Sequence, residues 1–154
     1  MSETLAGTLH RWMRLVMRHS MRDLMLYARE NSFSMAQINV LFRIYYRGVC
    51  DVSSISEEMG VTSAAVSQLL DRLVQQGLVE RTEDPQDRRT KRIALTPAGQ
   101  AIVQESIRAR QNWVAALEDL LTSEEKMQVI AALALLINKA SSLEEMIEPS
   151  TKPC

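Results

Sequence analysis

The sequence predicts a mainly α-helical protein carrying one small β hairpin of two or three strands. Three observations carry that expectation. Glycine and proline are scarce, 5 and 4 of 154 residues, while the helix formers Leu, Ala, Met, Gln and Glu recur throughout. Apolar residues return at spacings of three and four over six separate stretches, the pattern of helices that bury one face. One pair of short segments, 78–81 and 91–95, alternates as strands do, with an Asp84-Pro85 turn between them.

Residues 4–30 read as one long helix. Leu5, Leu9, Trp12, Met13, Val16, Met17, Met21, Leu24, Met25 and Ala28 make a broad apolar face. Arg11, Arg14, Arg18, Arg22 and Arg29 fall within one arc, at about 100° per residue. That stripe is expected to be a solvated face, with DNA phosphates or a partner subunit as the functional alternative. His10 and His19 lie on opposite sides of the helix and are no ligand pair. The run 31–34 breaks the pattern, and Ser34 with Gln37 forms a capping box for a second helix. Ile38, Leu41, Phe42 and Tyr45 are its expected buried face, and Gly48 its stop.

Residues 49–52 are a short apolar connection and a candidate third strand. Ser53 or Ser54 is expected to cap a short third helix that turns Ile55 and Met59 inward and ends at Gly60. Ser53, Ser54 and Ser56 could meet phosphate, but capping is the commoner use of such serines. Thr62 caps the fourth helix, where Val66, Leu69, Leu70, Leu73 and Val74 form a single core stripe. Its other face presents Ser63, Ala64, Ser67, Gln68, Asp71 and Gln75. Small residues at a helix start allow close approach to a DNA groove, the first amides favour phosphate, and Gln68 has the groups to pair with an adenine edge.

Gly77 ends that helix and the hairpin follows. Arg88, Arg89, Lys91 and Arg92 place four cations in five residues at or near its tip. A tip of that charge suits a narrow minor groove, where the potential is strongly negative. Thr96-Pro97 then starts a fifth helix expected to run to 121, with Ile102, Val103, Ile107, Val114, Leu117, Leu120 and Leu121 apolar. Thr122 with Glu125 makes a second capping box. The sixth helix is expected to reach about Met146, with apolar residues on more than one face. Such a helix would leave a large apolar patch on a monomer, so it, the end of the fifth helix and the first helix are expected to bury against a second copy.

Charge does not announce a nucleic-acid binder: the net charge is −1 and the isoelectric point about 6.1. The chain has a basic beginning and an acidic end, with Glu118, Asp119, Glu124, Glu125, Glu144, Glu145 and Glu148 over residues 118–148. Two cysteines, Cys50 and Cys154, make no disulfide framework or metal cluster and suit a reducing cytoplasm. No apolar run reaches membrane-spanning length and no signal peptide is expected. The sequence offers no Ser-His-Asp set, glycine-rich phosphate loop or acidic metal cluster, so no enzyme and no cofactor is expected.

The order of elements, with VTSAAVSQLLDRLVQQGLVER at 61–81 and DPQDRRTKRIALTPAG at 84–99, resembles the MarR family of bacterial winged helix-turn-helix regulators. The resemblance covers nearly the whole chain. Its most specific part is the Leu-Val-x-x-Gly-Leu-Val run at 73–79, followed by Asp-Arg-Arg and Leu-Thr-Pro-Ala-Gly at this spacing. It implies a winged helix-turn-helix module at 33–99, a helical dimerisation region at 1–32 and 100–148, and a flexible tail at 149–154. It implies a cytoplasmic homodimer that binds double-stranded DNA at a near-palindromic operator, usually as a repressor, and that a small molecule releases.

In that picture Thr62, Ser63, Ala64, Ser67, Gln68 and Arg72 meet the major groove. Arg88, Arg89 and Lys91 form the basic wing tip, Arg89 enters the minor groove, and Asp87 holds the tip arginines. Many relatives carry arginine near the start of the recognition helix and at position 68; here the residues are Ser63 and Gln68. Oxidant-sensing members use a first-helix cysteine, which this chain lacks; Cys50 reads instead as a small core residue. Trp12, Tyr27, Phe42, Tyr45, Tyr46 and Trp113 are candidates to line an effector pocket, although aromatic residues at helical spacing are more often core. Residues 51–96 carry six basic and eight acidic side chains, a balance of −2. That balance supports a competing expectation, a winged-helix protein-interaction module that never meets DNA.

Overall fold

The computed structural model describes residues 4–83 and 91–147. In chain order these form α1 (Leu5–Glu30), α2 (Met35–Arg47), α3 (Val52–Met59), α4 (Ser63–Gln75), β1 (Val79–Glu83), β2 (Lys91–Leu95), α5 (Pro97–Asp119) and α6 (Ser123–Ile147). The expectation of a mainly helical chain with one small hairpin is met. The chain divides into two compact units, one running to Gln111 and the other beginning at Asn112.

The core of the first unit sits under α4. Val66, Leu70 and Leu73 of α4 are fully buried against Val40, Leu41 and Ile44 of α2, Ile55 of α3, Val79 and Ile93 of the hairpin and Val103 of α5. Val74, expected in this stripe, is exposed. At about 100° per residue it lies roughly a quarter-turn from the centre of the stripe, on its margin. In α2 the buried face is rotated toward Val40 and Ile44, leaving Tyr45 exposed and Phe42 half-buried. A second cluster joins Leu24 and Ala28 of α1 to Ile38 of α2. Much of the remaining apolar face of α1 is open, with Leu5, Met13, Met17 and Met25 all exposed.

Local chemistry sets the boundaries. Ser34 and Gln37 form the expected capping box, and Gly48 closes α2 at φ 82°. Asp51, rather than Ser53 or Ser54, caps α3: its side chain accepts from the Ser54 amide at 2.8 Å. Cys50 pairs with Ile93 as an isolated bridge, so the candidate third strand is reduced to one residue, and the Cys50 side chain is buried. Carboxylate and arginines then join α3 to α2: Glu58 pairs with Arg43 and, at 3.5 Å, with Arg47.

The two strands are antiparallel, with Val79 opposite Leu95 and Glu83 opposite Lys91. Gly77, at φ 70°, turns the chain from α4 into β1. Thr96 ties both ends of the hairpin: its hydroxyl donates to the Gly77 carbonyl at 2.6 Å and accepts from the Gly99 amide at 3.1 Å. Gly99 is required by packing, because a Cβ there would collide with the carbonyl oxygen of Leu78.

In the second unit α5 ends at Asp119, two residues before the expected end, and α6 begins from the Thr122–Glu125 capping box. Hydrogen bonds from the Thr122 amide and hydroxyl hold the Glu125 carboxyl below its usual range. Met127, Ile130, Leu135 and Ile137 are each more than 60% exposed, as a helix apolar on several faces requires when it stands alone. Among the described residues no helix is long and apolar enough to cross a membrane. The expected tail at 149–154 lies outside the described residues.

Candidate nucleic-acid interface

The Thr62 hydroxyl caps α4 by accepting from the Ala65 amide at 3.2 Å. Behind this start α4 rests on the core through Val66, Leu70 and Leu73, which fixes which side chains look outward. Thr62, Ser63, Ala64, Gln68 and Arg72 are exposed, and Ser67 is half-buried. The result is a helix start whose outer surface is small and polar.

Two sets of contacts around this surface were missed by sequence reasoning. Arg81, on β1, forms an ion pair with Asp71 of α4 at 2.6 Å and donates to the Ser67 carbonyl at 3.2 Å. One guanidinium thus fixes the flank of α4 to the first strand of the hairpin. A signal existed, since Asp71 and Arg81 carry opposite charge at comparable distances on either side of the Gly77 reversal. The second set is a hydroxyl chain. Ser63 Oγ lies 3.1 Å from Ser56 Oγ, and Ser56 Oγ donates to the Ser53 carbonyl at 2.9 Å. Serines read as caps therefore link α3 to the first residue of α4.

At the base of the wing Lys91 is exposed and pairs with Glu83, its partner in register, at 2.9 Å. Part of the hairpin's positive charge is thus balanced within the ladder. Asp87, Arg88 and Arg89 lie outside the described residues.

Three of the aromatic candidates, Phe42, Tyr45 and Tyr46, are in contact through the Tyr46 ring. Phe42 and Tyr46 stack at 6.1 Å, and Tyr45 meets Tyr46 edge-on at 5.2 Å. The Arg110 guanidinium sits 5.9 Å above the Phe42 ring. Tyr27 donates to Glu105 Oε2 at 3.1 Å, and burial together with that carboxylate pushes its hydroxyl above its usual pKa. Trp12 is on the open part of α1, and Trp113 is half-buried in the second unit. Two concavities along α1 are lined largely by methionines and arginines, among them Met17, Met21, Arg18 and Arg22. Among the described residues no group of three or more His, Cys, Asp and Glu side chains could hold a metal ion.

A helix pair leading into an exposed small-and-polar helix, followed at once by an antiparallel hairpin pinned to it, defines a winged helix-turn-helix protein. The MarR family profile matches residues 33–91, which span α2 to the first residue of β2. The HTH-type transcriptional repressor MdtR of Bacillus subtilis is 34% identical over 110 residues, 71% of this chain and 71% of its own length. The chain belongs to the MarR family of transcriptional regulators. The fold is shared with the transcriptional regulator Tm0710 of Thermotoga maritima, at a TM-score of 0.81, 24% identity, and coverage of 92% of this chain and 99% of that one. A mutant MarR of E. coli complexed with operator DNA is similar at a TM-score of 0.56 and 29% identity, over 86% of this chain and 93% of that one.

Proposed function

We propose that this protein is a homodimeric, sequence-specific DNA-binding repressor acting on a near-palindromic operator. The observation that carries the reading is the exposed, small-and-polar start of α4, held by Arg81 beside the hairpin. Residues 62–76 enter the major groove through Thr62, Ser63, Ala64, Ser67, Gln68 and Arg72. The wing follows the backbone to the adjacent minor groove, where Arg89 inserts with Arg88 and Lys91 nearby and Asp87 orients the tip. The capture of operator DNA by the related MarR mutant and the name of MdtR as a repressor support this assignment.

The dimer is supported by the open apolar faces of α1 and α6, each too large to leave in water. Residues 1–32 and 100–148 supply this dimerisation region around the DNA-binding module at 33–99. Two copies of α4 then address half-sites about one helical turn, roughly 10 base pairs, apart. A small-molecule effector that lowers DNA affinity completes the reading, and the protein works in the cytoplasm.

A mobility-shift titration with the duplex flanking the protein's own gene tests it, combined with light scattering. The expected result is a discrete shift by a species of twice the chain mass. A dimer that shifts neither this duplex nor any member of a randomised pool would overturn the DNA reading and leave a protein-interaction module.

A further inference from the structure

Hydrogen-bond polarity around Ser63 carries a consequence for which bases α4 can read. Ser56 is buried and has a single hydroxyl proton. Its oxygen lies 2.9 Å from the Ser53 carbonyl, which can only accept, so that proton is committed there. The contact between Ser56 Oγ and Ser63 Oγ at 3.1 Å then requires Ser63 to be the donor. The opposite assignment would leave two electron-rich oxygens 2.9 Å apart in a buried place with no proton between them. Ser63 itself is exposed, so its proton points back into the protein and its lone pairs face outward.

From this we infer that Ser63 is a specificity-determining acceptor, selecting a base that offers an exocyclic amine in the major groove. The inference rests on the major-groove placement of α4 proposed above. Adenine presents N6–H and cytosine N4–H there, whereas guanine O6 and N7 and thymine O4 only accept. Phosphate oxygens also only accept, so with the chain intact the Ser63 hydroxyl is barred from serving as a backbone contact. Ala64 beside it adds no bulk that would hold the hydroxyl away from a base edge. Ser56 touches no DNA in this picture. It is a positioning residue that sets the polarity of its neighbour.

Binding-site selection from a randomised duplex pool, with the full-length protein, tests this. Wild type should enrich a motif with one position in each half-site restricted to adenine or cytosine on the contacted strand. Ser63→Ala should flatten that position alone, by roughly three- to tenfold in preference. Ser56→Ala frees the Ser63 proton and should admit guanine or thymine at the same position, with thermal unfolding measured to verify the fold. Independently of how Ser56→Ala folds, the amine at that position can be deleted, using purine for adenine or pyrimidin-2-one for cytosine. Wild type should lose affinity on that duplex, and Ser63→Ala should not.

Three results would overturn the inference. These are a folded Ser56→Ala with the wild-type motif, a Ser63→Ala that weakens all sequences uniformly, or an amine deletion that costs wild type and Ser63→Ala equally. If wild type enriches no motif at all, the DNA-binding proposal fails with it. That outcome is distinct from an enriched motif that ignores Ser63.

Discussion

Single atoms decide several features of this molecule. Gly99 occupies the first turn of α5, where alanine would ordinarily be favoured over glycine by about 1 kcal/mol. Here a methyl group would strike the Leu78 carbonyl, in the segment that closes the hairpin. Gly99→Ala should therefore destabilise the protein by about 2–3 kcal/mol in urea unfolding, and a gain in stability would refute the packing account. Tyr27 offers a second test. Its hydroxyl is raised above the ordinary value of 10.0, first by burial and then by Glu105, so the folded state favours the protonated form. The stability it contributes is fully present below pH 10 and is lost as the pH climbs through its raised value. Tyr27→Phe should remove that part of the alkaline loss, read as a smaller drop in urea midpoint between pH 9 and pH 11 than in wild type.

At the scale of elements, α4 and the hairpin act as one piece because Val66, Leu70 and Leu73 share a core with Val79 and Ile93 and Arg81 ties the exposed flank. The Arg81–Asp71 pair is partly exposed, so Arg81→Ala should cost less than about 1 kcal/mol of stability. Its effect on DNA should be larger, because the angle between α4 and the wing loses its outer tie. A fall in affinity of about tenfold in a mobility-shift titration is expected, and unchanged affinity would show that core packing alone holds the angle. Five of the six basic side chains of residues 51–96 lie in the hairpin segment 81–92. Arg89→Ala should weaken operator binding more than Gln75→Ala, with circular dichroism unchanged in both. Equal affinities would remove the wing tip from the interface.

For the whole molecule the question is what covers the open faces of α1 and α6. A second copy makes stability depend on protein concentration, since association favours the folded state by mass action. The melting temperature should rise as the protein is concentrated. Ile137→Asp should abolish that rise and halve the mass seen by light scattering, while the α2–α4 core, to which Ile137 does not belong, stays folded. DNA affinity should also fall steeply with salt, since phosphate neutralisation releases counterions. A flat titration would mean that the contacts are not made to phosphates.

The sequence by itself determined the helices, the hairpin and most of the caps, because these depend on neighbours three or four residues away. The Ser34–Gln37 and Thr122–Glu125 boxes and the Gly48 and Gly77 stops all follow from such local rules, whereas the strand register, with Val79 opposite Leu95, does not. The family signature in 73–99 is local in the same sense, and it carried the class of protein with it. Tertiary structure decided what depends on residues brought together from different elements. It rotated the buried face of α2 toward Ile44 and away from Tyr45, because α4 packs on that side. It gave the α3 cap to Asp51, and it reduced a candidate strand to the Cys50–Ile93 bridge. It turned Arg81 from a strand residue into the clamp on α4, and it joined Ser56, read as a cap, to Ser63 through their hydroxyls. Spacing along the chain is blind to such pairings, because the direction of a hydrogen bond is fixed by which acceptor lies within 3 Å after folding.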